Sequence, residues 1–485
     1  MAGSVPQNSE SASFESPVRP AWVRWLCGIE NSILIVCLFA LIFLPLLERV
    51  MRGFFNTGIE GEAEFVLHFS LVVGMVGGAI AAREKRLLGI STIAHFLKGP
   101  WKIAADVFAN SWAAVVTGVL GYAGYLFLLD ERGAGNEIAY GVARWWIQSM
   151  LPIGFGLIAI RLVWNSGPQW WVRLLSSTVV LLASWILWEG WIPVDRILLP
   201  GVIMLITAML LGAPIFSVLG GATLLYLWRE DFPIAGVATS HYSMSTEALI
   251  PTIPLFTLAG YFMAESKASQ RLVRVFQSFV GQFRAGPAIV TIFVCAFFTA
   301  FTGGSGVTIL ALGPLLMPVL TSAKYGDKPS LGLITGAGAL GILFPPSLPI
   351  ILYFIVANAN VQTGISLEHM FLGGLIPGIL MVGMMTLYSR RLISKEAVAG
   401  KKFDWVESRC AVWEAKWELM IPVVAITALF SGVFSTPVAA AALTALYALF
   451  VELVIHRELR PFKDLPRVMT ECGLLVGGVL LILGV

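Results

Sequence analysis

Charge is what this sequence has least of. Only 13% of its 485 residues are Asp, Glu, Lys or Arg, roughly half the share usual in soluble domains, and 57% are hydrophobic. With a mean hydropathy of +0.83, the composition excludes an ordinary soluble globular chain. Apolar runs, each long enough to cross a hydrocarbon core, recur from about residue 31 onward. A transmembrane β-barrel would show short alternating segments instead. Cysteine is scarce as well: Cys27, Cys37, Cys295, Cys410 and Cys472 lie far apart, which excludes a CxxC metal site and a disulfide framework. The net charge of +3 is spread over loops, so no nucleic-acid partner is expected. GxxxxGK[ST] and HExxH are absent, which leaves ATP out as the direct energy source and gives no sign of an enzyme or an organic cofactor. Asp and Glu are nearly missing from the apolar runs, and a proton relay through them is not expected.

What is present is a polytopic all-α membrane chain with one anomaly. The stretch FTGGSGVTILALG, residues 301–313, places helix-breaking glycines inside an apolar region. Lys and Arg set orientation, cytoplasmic loops carrying the excess. They concentrate at Arg83, Lys85, Arg86, Lys98 and Lys102, at Lys267, Arg271, Arg274 and Arg284, and again between Arg390 and Lys416. The alternation predicts a cytoplasmic N-terminus. Both flanks of 301–313, Arg284 on one side and Lys324 and Lys328 on the other, then fall on the same cytoplasmic side. A helical hairpin that enters and leaves by one face satisfies both, and irregular backbone at that depth must line an internal site.

Two clusters of small and hydroxyl residues carry the chemistry. The first is Thr302, Gly303, Gly304, Ser305, Gly306 and Thr308. The second is GAGALGILFPPSLP, residues 336–349, where Pro345 and Pro346 remove two amide donors and free carbonyls of the preceding turn. Carbonyls with Ser and Thr hydroxyls make an all-oxygen site of low charge that suits Na⁺, while half-helix N-termini suit an anionic substrate. Taken singly, Gly336, Gly338 and Gly341 read first as close helix packing. Arg161 reads as a cation reaching for the interface. Residues 265–284 read as an amphipathic helix on the cytoplasmic surface, with Leu272, Phe276, Phe279 or Val280, and Phe283 on its apolar face and Arg271 and Arg274 off it.

A faint internal repeat supports a transporter. LLGAPIFSVLGGATLLYLW lies over VFSTPVAAAALTALYALF when Pro214 is set on Pro437, an offset of 223 residues with opposite expected orientation. Inverted repeats of this kind mark secondary transporters. The offset puts the counterpart of the glycine break near position 526, past Val485. The expected fold is therefore an inverted-repeat secondary transporter with a re-entrant hairpin and its second hairpin missing, a truncated or split product. A separate polypeptide supplying the rest is one expected partner.

The residues also resemble a known family. From about residue 197 the sequence resembles the large membrane subunit of TRAP (tripartite ATP-independent periplasmic) transporters, through LLGAPIFSVLG, TIPLFTLAGYFM, FFTAFTGGSGVTILALGPLLMPVL, GALGILFPPSLPIILY and LGGLIPGIL. Residues 30–165 resemble the small membrane subunit, with AAREKRLLGI and WWIQSMLPIGFGLIAIRLVW. The division that follows is a polar cytoplasmic tail over 1–29, a four-helix small-subunit-like domain over 30–165, a linker with a connecting helix over 166–196 and a large-subunit-like transport domain over 197–485. The resemblance implies Na⁺-coupled uptake of a small organic anion, a carboxylate or similar. It also implies delivery by a periplasmic binding protein, elevator-like motion, and residence in the bacterial inner membrane. Carried over by position, it sets the site at Thr302, Gly303, Gly304, Ser305, Gly306 and Thr308 and at Gly341, Phe344, Pro345, Pro346 and Ser347. Within that set, Thr302, Ser305, Thr308, Gly341 and Pro345 are the Na⁺ candidates. A non-transporting membrane scaffold and an anion carrier working without a binding protein are the alternatives.

Overall fold

The computed structural model describes residues 21–485 apart from 91–92, 95, 168, 189–193, 231, 361–363, 393–402, 433 and 435. Helices make up its regular structure, with isolated β-bridges but no strand among the described residues. The polar tail over 1–20 and part of the linker lie outside those residues. Among the described residues, eight helices are long and apolar enough to cross a membrane, or nine if the bent pair Asp327–Leu343 and Leu348–Asn358 is one span. The chain is an all-α, multi-spanning membrane protein.

The N-terminal bundle consists of α1 (Ala21–Phe55), α2 (Glu62–Arg83), α3 (Pro100–Ala134), α4 (Arg144–Gln148) and α5 (Met150–Asn165). Within it α2 packs on α1 and α5, and α3 on α5. Next come α6 (Trp170–Trp188), against α3, the mutually packed α7 (Val194–Leu210) and α8 (Ile215–Arg229), and the short α9 (Ala235–Ser245). The remainder runs through α10 (Thr252–Ala264), α11 (Ala268–Val280), α12 (Gly286–Thr302), α13 (Ser305–Ser322), α14 (Asp327–Ala337), α15 (Leu348–Asn360) and α16 (Leu367–Ser389). It closes with α17 (Trp405–Glu414), α18 (Lys416–Phe430), α19 (Pro437–Phe450) and α20 (Asp464–Leu483). Helix α10 is the most enclosed of them, buried at every residue from Thr252 to Met263, between α12 on one side and α19 and α20 on the other.

Glycine joins the N-terminal bundle to the C-terminal helices. Gly74 and Gly78 on α2 and Gly473 and Gly477 on α20 each keep a four-residue spacing, which leaves a smooth stripe where two membrane helices can touch backbone to backbone. A Cβ on Gly77 would strike the carbonyl of Gly473, and one on Gly477 would strike the backbone of Gly77 and Gly78. Gly74 instead receives Leu480, whose Cβ stands 3.3 Å from where a glycine Cβ would be. Apolar side chains gain little from meeting in lipid, so dispersion at short range holds this seam.

Buried charge departs from the expectation. Glu418 near the start of α18 and Glu452 just past α19 are fully buried, although carboxylates had been expected to be nearly absent from the spans. Arg271 on α11 accounts for them. Its Nε donates to Glu418 at 2.5 Å and its Nη1 to Glu458 at 2.6 Å, while Nη2 lies 3.6 Å from Glu452. Burial pushes the Glu458 carboxyl up, but Arg271 and the Lys267 N–H outweigh it and hold that carboxyl below its ordinary range. Helix α11 is amphipathic as expected, yet Arg271 is buried beside Leu272 and Val275 whereas Phe279 and Phe283 are exposed. Arg161 likewise pairs with Glu30, which also receives Arg83 at 2.7 Å, rather than reaching for the interface alone. Trp146, Trp170 and Trp171 are exposed.

Two outcomes are expected. Gly77→Leu places a side chain against the Gly473 carbonyl and destabilises by at least the ~1–3 kcal/mol of ordinary overpacking, lowering the melting temperature in detergent, whereas Gly118→Leu, with open space around its Cα, is neutral. Arg271→Ala strands the buried Glu418 without the guanidinium that pairs it and costs about 3–5 kcal/mol at neutral pH. The Glu458 share of that stability is present above its unfolded pKa and disappears as pH falls through the lowered folded value, so the gap between mutant and wild-type melting narrows in acid.

Candidate functional site

The candidate site lies where two helices break. The first break separates α12 from α13 at Gly303 and Gly304. Gly303 sits at φ +65°, a left-handed conformation that glycine adopts without penalty, and its N–H donates to the Thr299 carbonyl at 2.9 Å. Gly304 is extended and Ser305 opens α13, which packs against α12 across the break. Space there is tight. A Cβ on Gly303 would lie 2.5 Å from the Leu348 Cβ, and one on Gly260 of α10 would lie 2.8 Å from the Thr302 nitrogen.

The second break lies between α14 and α15. A 3-10 turn over Leu340–Leu343 leads to extended Phe344, a cis Pro345–Pro346 bond, and Ser347. As the prolines require, carbonyls of this turn lose helical donors, and the Ser347 hydroxyl donates to one of them, that of Ile342. Gly341 rests on the backbone of α12, where an added Cβ would meet Ala296 and stand 2.6 Å from the Ala300 nitrogen. Gly336 and Gly338 have side chains, Met385 and Ile309, within 2.8 Å of where a Cβ would sit, so helix packing explains those two.

Between the breaks lies a buried set of oxygens. The Thr308 hydroxyl is 3.0 Å from that of Thr302 and 2.9 Å from that of Thr299. Thr299 also lies 2.9 Å from the Gly338 carbonyl, on the second break, and 2.8 Å from the Cys295 carbonyl of its own helix. All three threonines are buried. Each hydroxyl has one proton to give, so oxygen acceptors outnumber donors here. Such a neutral, acceptor-rich cluster fits a hard monovalent cation better than an anion. The described residues hold no His, Cys, Asp and Glu group able to bind a transition metal.

Among the residues singled out by sequence, Thr302 and Thr308 touch directly, Gly303 meets Leu348 beside Ser347, and Gly341 lies on α12 next to Thr299. Ser305, Phe344 and Pro345 are half-buried, Pro346 and Ser347 buried, and Gly306 exposed. Sequence reading passed over Thr299, whose hydroxyl joins the two breaks, and Gly338 as an oxygen donor. A signal existed: Thr299 and Thr302 stand three apart, on one face of α12. A separate cleft of about 290 Å³ between Phe354, Phe371, Leu429 and Pro437 is largely apolar and holds none of these oxygens.

Comparison with known proteins gives two family matches. Residues 202–485 match the family described as tripartite ATP-independent periplasmic transporter, DctM component, and residues 41–167 match the DctQ component. The isethionate TRAP transporter permease protein DctMQ of Oleidesulfovibrio alaskensis is 28% identical over 469 residues, which is 93% of this chain and 72% of that protein. The C4-dicarboxylate TRAP transporter large permease protein DctM of Vibrio cholerae is 33% identical over 54% of this chain. Its counterpart in Rhodobacter capsulatus is 31% identical over 55%. The matched part of this chain spans 57% and 62% of those two relatives.

Thr299→Val leaves the Gly338 carbonyl and the Thr308 hydroxyl short of a partner and is expected to cost about 1–3 kcal/mol, read as lower melting of the protein in nanodiscs. Thr299→Ser, which keeps the hydroxyl, is expected to recover most of that loss.

Proposed function

Because the chain belongs to the tripartite ATP-independent periplasmic (TRAP) transporters, we propose that it is a fused permease of that family importing a small organic anion on an inward Na⁺ gradient. It is a transport component, not an enzyme. The observation that carries the proposal is the buried oxygen cluster of Thr299, Thr302, Thr308 and the Gly338 carbonyl, at the meeting of two broken helices. Na⁺ is the cargo ion held there, with Ser305, Gly341 and Pro345 completing the shell as the ion enters. The anion lies at the N-terminus of α13, whose first N–H groups have no helical carbonyl to bond. A periplasmic binding protein delivers it. The relatives named for isethionate and for C4-dicarboxylates support a carboxylate or similar acid as the class of substrate.

In this reading the protein lies in the inner membrane with a cytoplasmic N-terminus, and α12–α13 is a re-entrant hairpin opening to the cytoplasm. Arg284 before α12 and Lys324 after α13 support that topology. The repeat is supported by element order. Helices α7 and α8 pack as a pair with Pro214 at the α8 start, and α18 and α19 pack as a pair with Pro437 at the α19 start. The segment α12–α16 moves as an elevator against a frame of α1, α2, α10 and α18–α20.

Thermal melting of the full chain in nanodiscs tests the ion site. Na⁺ is expected to raise the melting temperature where K⁺ and choline do not, and Ser305→Ala with Thr308→Ala is expected to abolish the difference. Uptake in proteoliposomes with a binding protein is expected to require inward Na⁺. An unchanged Na⁺ response in the double variant refutes the assignment of those ligands, and uptake indifferent to Na⁺ refutes the coupling.

A further inference from the structure

The chain enters the site-bearing segment once and leaves it once. Helix α11 carries it from α10 into α12, and α17 carries it from the end of α16 back to α18. These two crossings are far apart in sequence, yet α11 and α17 pack side by side. Their seam has a small apolar core of its own, Val275 with Ala411 and Ala415, and the Ser408 hydroxyl donates to the Ser278 carbonyl at 3.3 Å. Arg274 spans the seam as a fork. Its Nε and Nη2 lie 2.8 and 3.3 Å from the two carboxylate oxygens of Glu407, and its Nη1 pairs with Glu414. One turn earlier on α11, Arg271 reaches Glu418, Glu452 and Glu458.

The two arginines divide the work. A guanidinium presents rigid, planar donors that suit two-pronged carboxylate pairing. Arg271 is buried and its partners are the ends of α18 and α19, so it fixes α11 to the frame. Arg274 is exposed and its partners are on α17, so it ties one crossing to the other. Helix α17 is short and Asp404 caps it, accepting from the Val406 and Glu407 N–H groups. A helix of this length has little stability alone. One residue, Ala415, joins it to α18, and the rest of its support comes from α11, against which it lies.

We propose that α11 and α17 form a single clasp, closed by Arg274 on Glu407 and Glu414, through which both chain crossings into the α12–α16 segment are mechanically joined. The exit cannot shift without the entry. Any displacement of the site-bearing segment is thereby borne by the clasp as a unit, pivoting on Arg271. The clasp rests on its own contacts and stands whether or not the threonine cluster holds Na⁺.

Hydrogen exchange of the full chain in nanodiscs, followed peptide by peptide, tests it. Arg274→Glu places like charges across the seam. It is expected to speed exchange about tenfold in both α11 and α17, with α19 and α20 unchanged. Glu407→Gln with Glu414→Gln, which removes the partners on α17 without touching α11, is expected to speed exchange in the same two helices. Reversing the pair, Arg274→Glu with Glu407→Arg and Glu414→Arg, is expected to restore protection in both. The proposal is overturned if α17 keeps its protection when α11 loses it, if only the mutated helix responds in each case, or if the reversed pair restores neither.

Discussion

A peptide group in the middle of a bilayer has no water to bond, so it must find its partner within the protein. Nearly everything distinctive about this chain follows from where it breaks that rule's easiest solution, the unbroken helix. At Gly303 and Gly304 the backbone leaves α12, and the cost is met locally: Gly303 donates back to Thr299, and the Thr308 N–H donates to the Gly304 carbonyl at 3.2 Å. The second break is treated alike, with Ser347 covering the Ile342 carbonyl and the Phe344 N–H bonded to Gly341 at 3.1 Å. Each break is then walled in by neighbours so close that only glycine fits at Gly260, Gly303 and Gly341. The oxygens left over from this accounting, those of Thr299, Thr302, Thr308 and Gly338, form the candidate site.

The parts of this arrangement that sequence made visible are those where chemistry is local. A glycine cluster between apolar runs announces a break without any knowledge of partners, and α12 does end there at Gly303. Two adjacent prolines announce the second. The bond between the breaks stayed hidden because a threonine in an apolar helix normally bonds its own preceding carbonyl, as Thr299 does with Cys295. Only the fold brings the Gly338 carbonyl to the same hydroxyl. Sequence distance also concealed the charges. Arg271 reads as a surface residue of an amphipathic helix until α18 and the turn after α19 bring three glutamates to it, more than 140 residues further along.

Buried ionic groups and bare backbone contacts sit in different places for a reason. The most deeply buried ionic groups gather where α11 meets the ends of α18 and α19, and a second set, Arg83 and Arg161 on Glu30, lies in the N-terminal bundle. There the charges are paired, so their desolvation is partly recovered and their geometry is specific. The closest backbone approaches, of α2 to α20 and of α10 to α12, are instead made at glycines, Gly77 with Gly473 and Gly477 and Gly260 with Thr302. The same chain therefore uses directional bonds at one end of its helices and short-range packing along their length.

Consider finally the glycine seam between α2 and α20. As separate polypeptides, the two regions would have to collide, orient and expel lipid for whatever dispersion energy a smooth stripe returns. Here they share one chain, and joining two surfaces through a tether turns an encounter between molecules into a search within one, at an effective local concentration on the order of millimolar. A contact that would otherwise have to form between molecules in a dilute membrane is then made within one. The fusion relieves the seam of the need for recognition and leaves it only the task of register.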